Sequence, residues 1–375
     1  MVWYRQPAQT TKKRIIITNL NKMAKVNPEF ATELTKYGVG DFNACFNCGN
    51  CTATCALSTN DSSFPREMIR YTTLGLEDEL RSSLKPWECY YCGECSQECP
   101  RQANPGELMM TLRRWLTAQY DWTGLSGLLY RSLMFTIAAL LLVAAGVFLF
   151  ARSTGFDAET MLHTGHRFEM LAIGAVFVAI FIPNLLRMWY FTIVKNGVKA
   201  PVKRYFTALS ELFVHMFTQK RAKDCDNKDN FRWLEHLVLV FAYLSLLFTT
   251  VFLNWFGTES LFIIVLGYVE SFLIFVVTTH FVSDRVKKNK ALNTFSQPSD
   301  WLFVIWLLLM GLTAFAVRLF IDLQLLENNI WMYIIHLTVL AQWALIIVPF
   351  GKWTHFLYRS FGLYFAKIKT MQKPG

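Results

Sequence analysis

The spacing of the cysteines constrains this chain more than any other feature of its sequence. Eight of the nine cysteines lie in two short runs, each of the form Cys-x-x-Cys-x-x-Cys-x-x-x-Cys, and the second run continues into Pro100. The runs are Cys45, Cys48, Cys51 and Cys55, followed by Cys89, Cys92, Cys95 and Cys99. Three thiolates at this spacing fit on one tight loop, so the fourth ligand of a four-thiolate site must come from elsewhere in the chain.

This spacing is that of the bacterial two-cluster ferredoxins, in which the fourth cysteine of each run ligates the other cluster. We therefore expect two [4Fe–4S] clusters with crossed ligand sets. The first set is Cys45, Cys48, Cys51 and Cys99, and the second set is Cys89, Cys92, Cys95 and Cys55. The crossover makes the two clusters near neighbours.

Zinc and disulfides are the two other common uses of closely spaced cysteines. A zinc ion takes four ligands from paired Cys-x-x-Cys units, whereas each run here has a third regularly spaced thiol and no histidine nearby. Disulfides need an oxidising compartment, and no secretory signal pattern precedes the runs. Cys225 stands apart in a polar loop and is interpreted as an ordinary free thiol.

Hydropathy divides the chain into two predicted domains, a mixed region over 1–121 and a mostly apolar region over 122–375. The net charge of +10 is unevenly placed. Residues 1–121 hold 14 Lys and Arg against 13 Asp and Glu, whereas residues 122–375 hold 23 against 14. Because the basic excess lies in the loops of the apolar region, it predicts a positive-inside membrane topology and no nucleic-acid binding.

Six apolar stretches are each close to the length at which a helix crosses a bilayer. They cover about 126–150, 168–190, 232–256, 260–283, 301–323 and 330–350. The loops after the second and fourth stretches are basic. These loops, both termini and the cysteine domain are therefore expected on the cytoplasmic side of the inner membrane.

The segment 201–221 is apolar on one face but too short and too charged to span a membrane. We interpret it as an interfacial helix that lies on the inner leaflet. His215 lies off its apolar stripe and is expected to face solvent. The stripe consists of Val202, Tyr205, Phe206, Leu209, Leu212, Phe213, Met216 and Phe217.

Three helices are predicted between and after the cysteine runs. One begins near Pro65 and ends at Gly75, a second covers about 77–84, and a third begins at Pro105. Proline is favoured in the first turn of a helix, and glycine is favoured just after its end. These helices are expected to hold the two runs face to face.

Histidines near the ends of the spans are candidate haem ligands, because a b-type haem can take an imidazole on each face. By depth, His236 and His355 can share a cytoplasmic-side haem, and His166 and His336 can share an outer-side haem. On an ideal helix, however, His336 and His355 stand about 28 Å and roughly 100° apart. The further candidates are His163 and His280. The alternative is that these histidines are ordinary interfacial side chains.

Glu270 and Arg318 are the candidates for a quinone site. Glu270 lies near the middle of the fourth span, where an unpaired carboxylate is costly. It is either a proton relay or a neutral, hydrogen-bonded residue. Arg318 and Asp322 are four residues apart near the outer end of the fifth span and are expected to form an ion pair.

Residues 41–116 resemble the small iron–sulfur C subunit of heterodisulfide reductase. Ala56 follows Cys55 where proline is usual in this pattern. The shared features are Cys45-Phe46-x-Cys48-Gly49-x-Cys51, Arg66-x-x-Ile69-Arg70, Leu74-Gly75-Leu76, and the second run with Pro100-Arg101.

Residues 168–360 resemble the cytochrome b (gamma) subunit of respiratory nitrate reductase, most closely in the last span. There, His336 lies near the start and Pro349-Phe350-Gly351-Lys352-Trp353-Thr354-His355 lies at the end. This resemblance implies two haems b, with quinone chemistry near the outer haem. That family has two ligand histidines on the helix matching the third span, whereas this chain has only His236. His336 therefore needs another partner, such as His166, or only one haem binds.

The fusion of both halves is similar to the membrane subunits (Qmo C) of quinone-interacting membrane oxidoreductase complexes. This resemblance implies flavoprotein partners of the Qmo A and B type and an indirect link to adenylylsulfate reductase in sulfur metabolism. The predicted fold is mainly α: a small α-helical dicluster ferredoxin domain joined to a six-helix transmembrane cytochrome b bundle.

Together these features predict an electron conduit between membrane quinones and cytoplasmic flavoproteins. Menaquinone, ubiquinone or another quinone would bind near the outer haem, and electrons would pass through haem b and two [4Fe–4S] clusters in either direction. Two alternatives are a membrane-anchored redox sensor and a structural anchor for an iron–sulfur subunit. Haem content distinguishes the conduit from both alternatives.

Overall fold

A computed structural model of the chain describes residues 25–38, 40–219, 230–251, 260–288 and 293–371. Within these residues the protein consists of helices joined by turns, and it contains no β-strand. Cys225 lies outside the described residues. The helices before the apolar region are α1 (Phe30–Leu34), α2 (Asn50–Thr54), α3 (Arg66–Thr73), α4 (Glu77–Ser82), α5 (Lys85–Glu88), α6 (Glu94–Gln97), α7 (Pro105–Tyr120) and α8 (Leu125–Arg131).

The three helices predicted around the cysteine runs are α3, α4 and α7. Gly75 follows α3 with a left-handed φ of +68°, a conformation that residues with a Cβ rarely adopt. A Cβ at this position would also collide with the backbone carbonyl of Asn27. Gly75 therefore ends α3 and lets the segment before α1 pack closely against the turn.

Six helices are long and apolar enough to cross a membrane, as predicted. In chain order the remaining helices are α9 (Leu133–Ser153), α10 (Ala158–Val194, with two π-helical turns), α11 (Val202–Thr218), α12 (Asn230–Val251), α13 (Leu261–Lys287), α14 (Pro298–Asp322), α15 (Ile330–Gln342, followed by a π-helical turn over Trp343–Ile347) and α16 (Thr354–Thr370). The sixth long helix, Glu327–Thr370, comprises α15 and α16. The predicted end of the third span lies outside the described residues.

Two of the predicted span boundaries are wrong. The second span begins at Ala158 rather than 168, because the Asp157 carboxylate caps it by accepting a 2.8 Å hydrogen bond from the Thr160 amide. His163 and His166 consequently lie inside α10 rather than before it. The first span begins at Leu133 rather than 126, because Ser132 caps it by accepting from the Phe135 amide.

The last span is interrupted rather than simply ending near residue 350. The Gly351 amide donates to the Ile347 carbonyl at 3.0 Å, and the chain then turns before α16 begins at Thr354. His355 thus lies in the first turn of a new helix. The ideal-helix distance and angle between His336 and His355 do not apply, since a π-helical turn and this break separate them.

α11 presents two different faces, and the prediction for His215 is wrong. Val202 and Phe206 are 70% and 69% exposed, as an interfacial helix requires. Leu212 and His215 instead lie on the opposite, buried face, which packs against α16. His215 is therefore part of the packing between these helices and does not face solvent.

The hydrophobic core continues across the predicted boundary at residue 121. Trp87 is fully buried, and its ring centroid lies 5.5 Å from that of Tyr358 on α16. Arg187 on α10 donates to the backbone carbonyl of Tyr120 at 3.0 Å, and Lys195 forms a 2.9 Å ion pair with Asp78. The cysteine-containing helices are thus packed directly onto one end of the apolar bundle.

Candidate functional site

The two cysteine runs have the same backbone conformation. Asn47 and Tyr91, each two residues after the first cysteine of its run, have left-handed φ angles of 63° and 58°. Gly49 and Gly93 follow with φ angles of 93° and 91°, and each precedes a short helix. This repeated turn places the first three thiols of each run on one loop, as a cubane site requires.

The fold brings together the two predicted ligand sets. The Cys51 thiol interacts electrostatically with the thiols of Cys45, Cys48 and Cys99. The Cys95 thiol interacts in the same way with those of the second set, and more weakly with Cys51. The second set consists of Cys95, Cys89, Cys55 and Cys92. The two groups are therefore separate but adjacent, as the crossed arrangement predicts.

The environment of these thiols favours binding of a cationic centre. Burial raises the pKa of the Cys55 thiol to about 11, and the neighbouring thiols of Cys89 and Cys92 act in the same direction. Deprotonation in such a group requires a compensating metal charge. Backbone amides also donate to sulfur, at 3.3 Å for Cys45 and 3.4 Å for Cys89, which is one means of tuning cluster potentials.

The thiols do not form a mononuclear metal site within the described residues. No three His, Cys, Asp or Glu side chains among these residues are grouped so that they could hold one metal ion. A mononuclear zinc site needs four ligands around one ion, whereas each thiol of a cubane site binds a different iron.

The two thiol groups differ in depth. In the first set Cys48 is exposed, and the adjacent Phe46 is 59% exposed. In the second set Cys89 and Cys95 are buried. The first group therefore lies near the protein surface, and the second lies against the apolar bundle.

A cavity of about 590 Å³ lies between part of the second cysteine run and the apolar helices. Tyr90, Tyr91 and Cys92 line it on the side of the cysteine run, and His236 from α12 and His355 from α16 line it on the side of the bundle. Pockets of about 300–1,000 Å³ hold cofactor-sized ligands. The structure thus places the predicted histidine pair in one cavity, next to the second thiol group.

The hydrogen bonding of the two imidazoles leaves a nitrogen of each available to a metal. Nδ1 of His355 lies 2.5 Å from the Lys352 carbonyl, so it is the protonated nitrogen, and Nε2 keeps its lone pair. This pattern fixes the tautomer and orientation of a ligand histidine. Nδ1 of His236 is buried and makes no hydrogen bond within the described residues. These features fit a haem held between two imidazoles.

Basic side chains outnumber the acidic side chains of Glu235 and Asp284 in the lining of the cavity. The basic side chains lining it are Arg113, Arg232, Arg285, Arg359 and Lys352. Burial, together with the nearby Arg359 guanidinium, lowers the pKa of Arg113 to about 9. Cations held in a partly apolar space favour an anionic occupant, and the propionates of a haem would meet this requirement.

A buried chain of polar and ionic contacts connects the second cysteine run with Lys352, which lines the cavity. The Tyr91 hydroxyl donates to Glu107 at 2.6 Å, and Arg114 lies 3.4 Å from the same carboxylate. Arg114 also pairs with Asp300 at 2.8 Å, and Asp300 pairs with Lys352 at 2.7 Å. Because the carbonyl of Lys352 lies 2.5 Å from Nδ1 of His355, the chain of contacts ends at the candidate haem ligand.

The predicted outer histidine pair is not brought together in the same way. Nδ1 of His336 lies 2.9 Å from the Thr313 hydroxyl, and Nδ1 of His166 lies 4.0 Å from Glu169. Neither histidine lines the cavity described above. His163 is exposed, so the ligand roles of the outer histidines stay predictions.

His280 lies at the mouth of the cavity rather than inside it. Its Nδ1 is 2.7 Å from Glu235 and its Nε2 is 3.8 Å from Asp284. Both carboxylates line the cavity, whereas His280 does not. An ion-pairing role is therefore sufficient to explain this histidine.

The two quinone-site candidates lie in different environments. Glu270 is 2% exposed, and its carboxyl oxygens make no hydrogen bond within the described residues, although Ser245 is close enough to interact. Arg318 forms the expected ion pair with Asp322, which also accepts a 2.7 Å hydrogen bond from Tyr268. Glu270 therefore has an unsatisfied polar group in the bundle, whereas Arg318 is already paired.

Sequence reasoning missed several residues of the site. Arg113, Arg114 and Asp300 were not singled out, because nothing in the local pattern shows that Arg114 meets a residue 186 positions away. Glu169 was also missed. It lies within a predicted span, and this alone could have marked it as a candidate. It interacts electrostatically with Tyr243, which lines the cavity.

Comparison with known proteins identifies the cysteine region. Residues 38–100 match the family model described as a 4Fe-4S dicluster domain. A protein of Archaeoglobus profundus that is named as similar to the heterodisulfide reductase C subunit is 32% identical over 105 residues, which is 28% of this chain and 52% of that protein. The second iron–sulfur C subunit of the CoB–CoM heterodisulfide reductase of Methanocaldococcus jannaschii is 33% identical over 100 residues, 24% of this chain and 53% of that protein.

The chain spans about half the length of the curated relatives that it matches. No solved structure matches it. The chain therefore carries a 4Fe–4S dicluster domain like that of the heterodisulfide reductase C subunit, together with helices long enough to cross a membrane.

Proposed function

We propose that this chain passes electrons between membrane quinones and a cytoplasmic flavoprotein partner through haem b and two [4Fe–4S] clusters. The observation that carries this proposal is the shared cavity. His236 and His355 line one side of it, and Cys92 of the second thiol group lines the other. A redox cofactor in this cavity would stand between the apolar bundle and the dicluster domain.

The residues of the cavity would bind and orient the haem. His236 and His355 would supply the two axial nitrogens, and the Lys352 carbonyl would hold the imidazole of His355 in place. Arg232 and Arg359 would meet the propionates. A haem bound in this way supplies reversible one-electron transfer at its iron.

The dicluster domain would relay electrons away from the bundle. The deeper thiol group of Cys55, Cys89, Cys92 and Cys95 faces the cavity region, and the first group reaches the surface at Cys48. This order supports a soluble partner that docks near the first group. The relatives are named as subunits of heterodisulfide reductases, which supports the presence of partner subunits. The partners that we propose are flavoproteins of the Qmo A and B type, linked to adenylylsulfate reductase.

The charge distribution supports a cytoplasmic dicluster domain. Lys195, Lys199, Lys203 and Arg204 cluster between the end of α10 and the start of α11. Lys195 contacts Asp78 of the dicluster domain, so this basic segment and the domain share one end of the bundle. By the positive-inside rule, that end would face the cytoplasm.

A quinone would bind on the other side of the haem, within the bundle. Glu270 is the preferred residue for accepting or returning its proton, because its buried carboxyl group has no hydrogen-bond partner in the described residues. Glu169 is a second carboxyl group in the bundle, and Nδ1 of His166 lies 4.0 Å from it. Arg318 is a further candidate. Menaquinone and ubiquinone share the ring carbonyls that such groups would bind.

Replacing Cys55 with serine is expected to remove the second cluster and leave the first. Non-haem iron should fall from about eight atoms per chain to about four, since each cubane holds four irons. Crossed ligand sets require that Cys55→Ser and Cys95→Ser leave the same electron paramagnetic resonance signal, different from the one left by Cys51→Ser. Cys225→Ser is the control and should keep all eight irons. If Cys55→Ser and Cys51→Ser instead lose the same cluster, the ligand sets are not crossed.

The function is tested by the visible spectrum of the detergent-purified protein before and after addition of a menaquinol analogue. We expect absorbance of haem b, a pyridine haemochrome count of one or two, and reduction of haem and clusters by the quinol. One haem would indicate His236 and His355 alone, and two would require a partner for His336. A protein with about eight irons but no haem would contradict the proposal and indicate an anchored ferredoxin.

A further inference from the structure

Arg113 on α7 contacts both the second cysteine run and the histidine cavity. Its Nε donates to the Pro86 carbonyl at 2.7 Å, and its Nη2 donates to the carbonyl of Cys89. It also lines the cavity that contains His236 and His355. The side chain is 8% exposed.

We propose that Arg113 binds a carboxylate of the cavity's occupant while it holds the Cys89 loop, so that the second cluster exchanges electrons directly with the haem. This inference rests on the proposed function and adds to it the identity of the entry cluster and of a linking residue. With both groups bound, they would supply a one-electron transfer in which one group is oxidised and the other reduced, and Arg113 would make or break no covalent bond.

Geometry supports this role over a purely structural one. Two backbone carbonyls fix the guanidinium, which is the rigid, planar arrangement that arginine provides and lysine does not. A side chain needed only to hold the loop would not have to line the cavity as well. Arg359 of α16, whose guanidinium lies 5.3 Å from the Tyr90 ring centroid, adds a second cation near Arg113.

The adjacent Arg114 faces a different group. It pairs with Glu107 and Asp300 and is absent from the cavity lining. The two neighbouring arginines therefore have different contacts. Arg113 holds the cysteine loop beside the cavity, and Arg114 joins α7 to α14. This division makes the charge of Arg113 available to a ligand.

The test compares Arg113→Gln with Arg113→Lys in the complete protein loaded with clusters and haem. Loss of the charge in Arg113→Gln should lower the haem midpoint potential, because a nearby cation favours the reduced, less positive iron. It should also slow electron transfer from the pre-reduced haem to the second cluster several-fold. Arg113→Lys keeps the charge and should retain the potential, but it loses the two-carbonyl contact and should alter the signal of the second cluster.

Arg101→Gln is the matched control. Arg101 also donates to a backbone carbonyl beside a cysteine run, that of Ala44 at 3.5 Å, but it does not line the cavity. It should leave the haem potential and the electron-transfer rate unchanged. If Arg113→Gln retains both clusters and haem with unchanged potential and rate, the proposal is wrong. If Arg113→Gln loses its clusters, the second-cluster signal and transfer rate of Arg113→Lys decide, and wild-type values would overturn the proposal.

Failure of the function proposed above would look different. It would be visible in the wild-type protein as missing haem or as no response to quinol. Failure of the Arg113 inference would be visible only when the variants are compared with a haem-containing wild type. The two results are therefore distinguishable.

Discussion

His236→Ala is expected to abolish haem binding in the cavity while both iron–sulfur clusters remain. A haem in this cavity would lose one of the two imidazoles proposed to hold it. Nδ1 of His236 has no hydrogen-bond partner to lose in the described residues, so the substitution should not disturb the fold. The pyridine haemochrome count measures the loss, and iron and sulfide content shows that the clusters persist.

His355→Ala should have the same effect on haem, but it also leaves the Lys352 carbonyl without its donor. His163→Ala is the control, since His163 is exposed and lies outside the cavity. His336→Ala distinguishes a protein with one haem from a protein with two. This substitution should lower the haem count only if a second haem is bound. Full haem content in both His236→Ala and His355→Ala would show that the cavity does not bind haem.

The sequence predicted the parts of this site that depend on local spacing. The thiol groups follow from two runs with the same turn, in which Gly49 and Gly93 take the left-handed conformation that each loop needs. The six long helices follow from hydropathy alone. Such features are fixed over short stretches of chain, so the packing of the rest of the protein does not change them.

Other parts could not be predicted, because they depend on where distant segments meet. The break at Gly351 restarts the helix before His355, so the ideal-helix angle between His336 and His355 no longer counts against both being haem ligands. The apolar stripe of α11 predicts that His215 faces solvent. His215 is buried instead, because the opposite face of α11 packs against α16. The ionic chain through Asp300 depends on the docking of α7 onto α14.

Asp300→Asn is expected to destabilise the folded protein by about 3–5 kcal/mol, the typical cost of breaking a buried ion pair. Asp300 is 4% exposed, and Arg114 is 7% exposed. Burial alone would lower the pKa of Arg114, but the Asp300 and Glu107 carboxylates raise it above its ordinary value. Arg114 therefore stays charged in the variant with one of its two anions missing, and Lys352 loses its partner as well.

Asparagine is the informative substitution because it isolates the charge. Asp300 also caps α14 by accepting a hydrogen bond from the Gln297 amide at 3.1 Å, and the asparagine oxygen can keep this contact. The measurement is the thermal midpoint of the cluster-loaded protein in detergent, which should fall by roughly 10 °C. Haem retention should fall with it, because Lys352 positions His355.

Asp322→Asn provides the control from the opposite end of the same helix. Asp322 pairs with Arg318, but both side chains are about a quarter exposed, at 28% and 25%. An exposed pair contributes about 0–1 kcal/mol, so this variant should melt close to the wild type. Equal midpoints for the two variants would mean that the Arg114–Asp300–Lys352 contacts do not hold the dicluster domain on the bundle. A selective loss at Asp300 would show that the same residues that join the two regions also keep the haem ligand beside the second cluster.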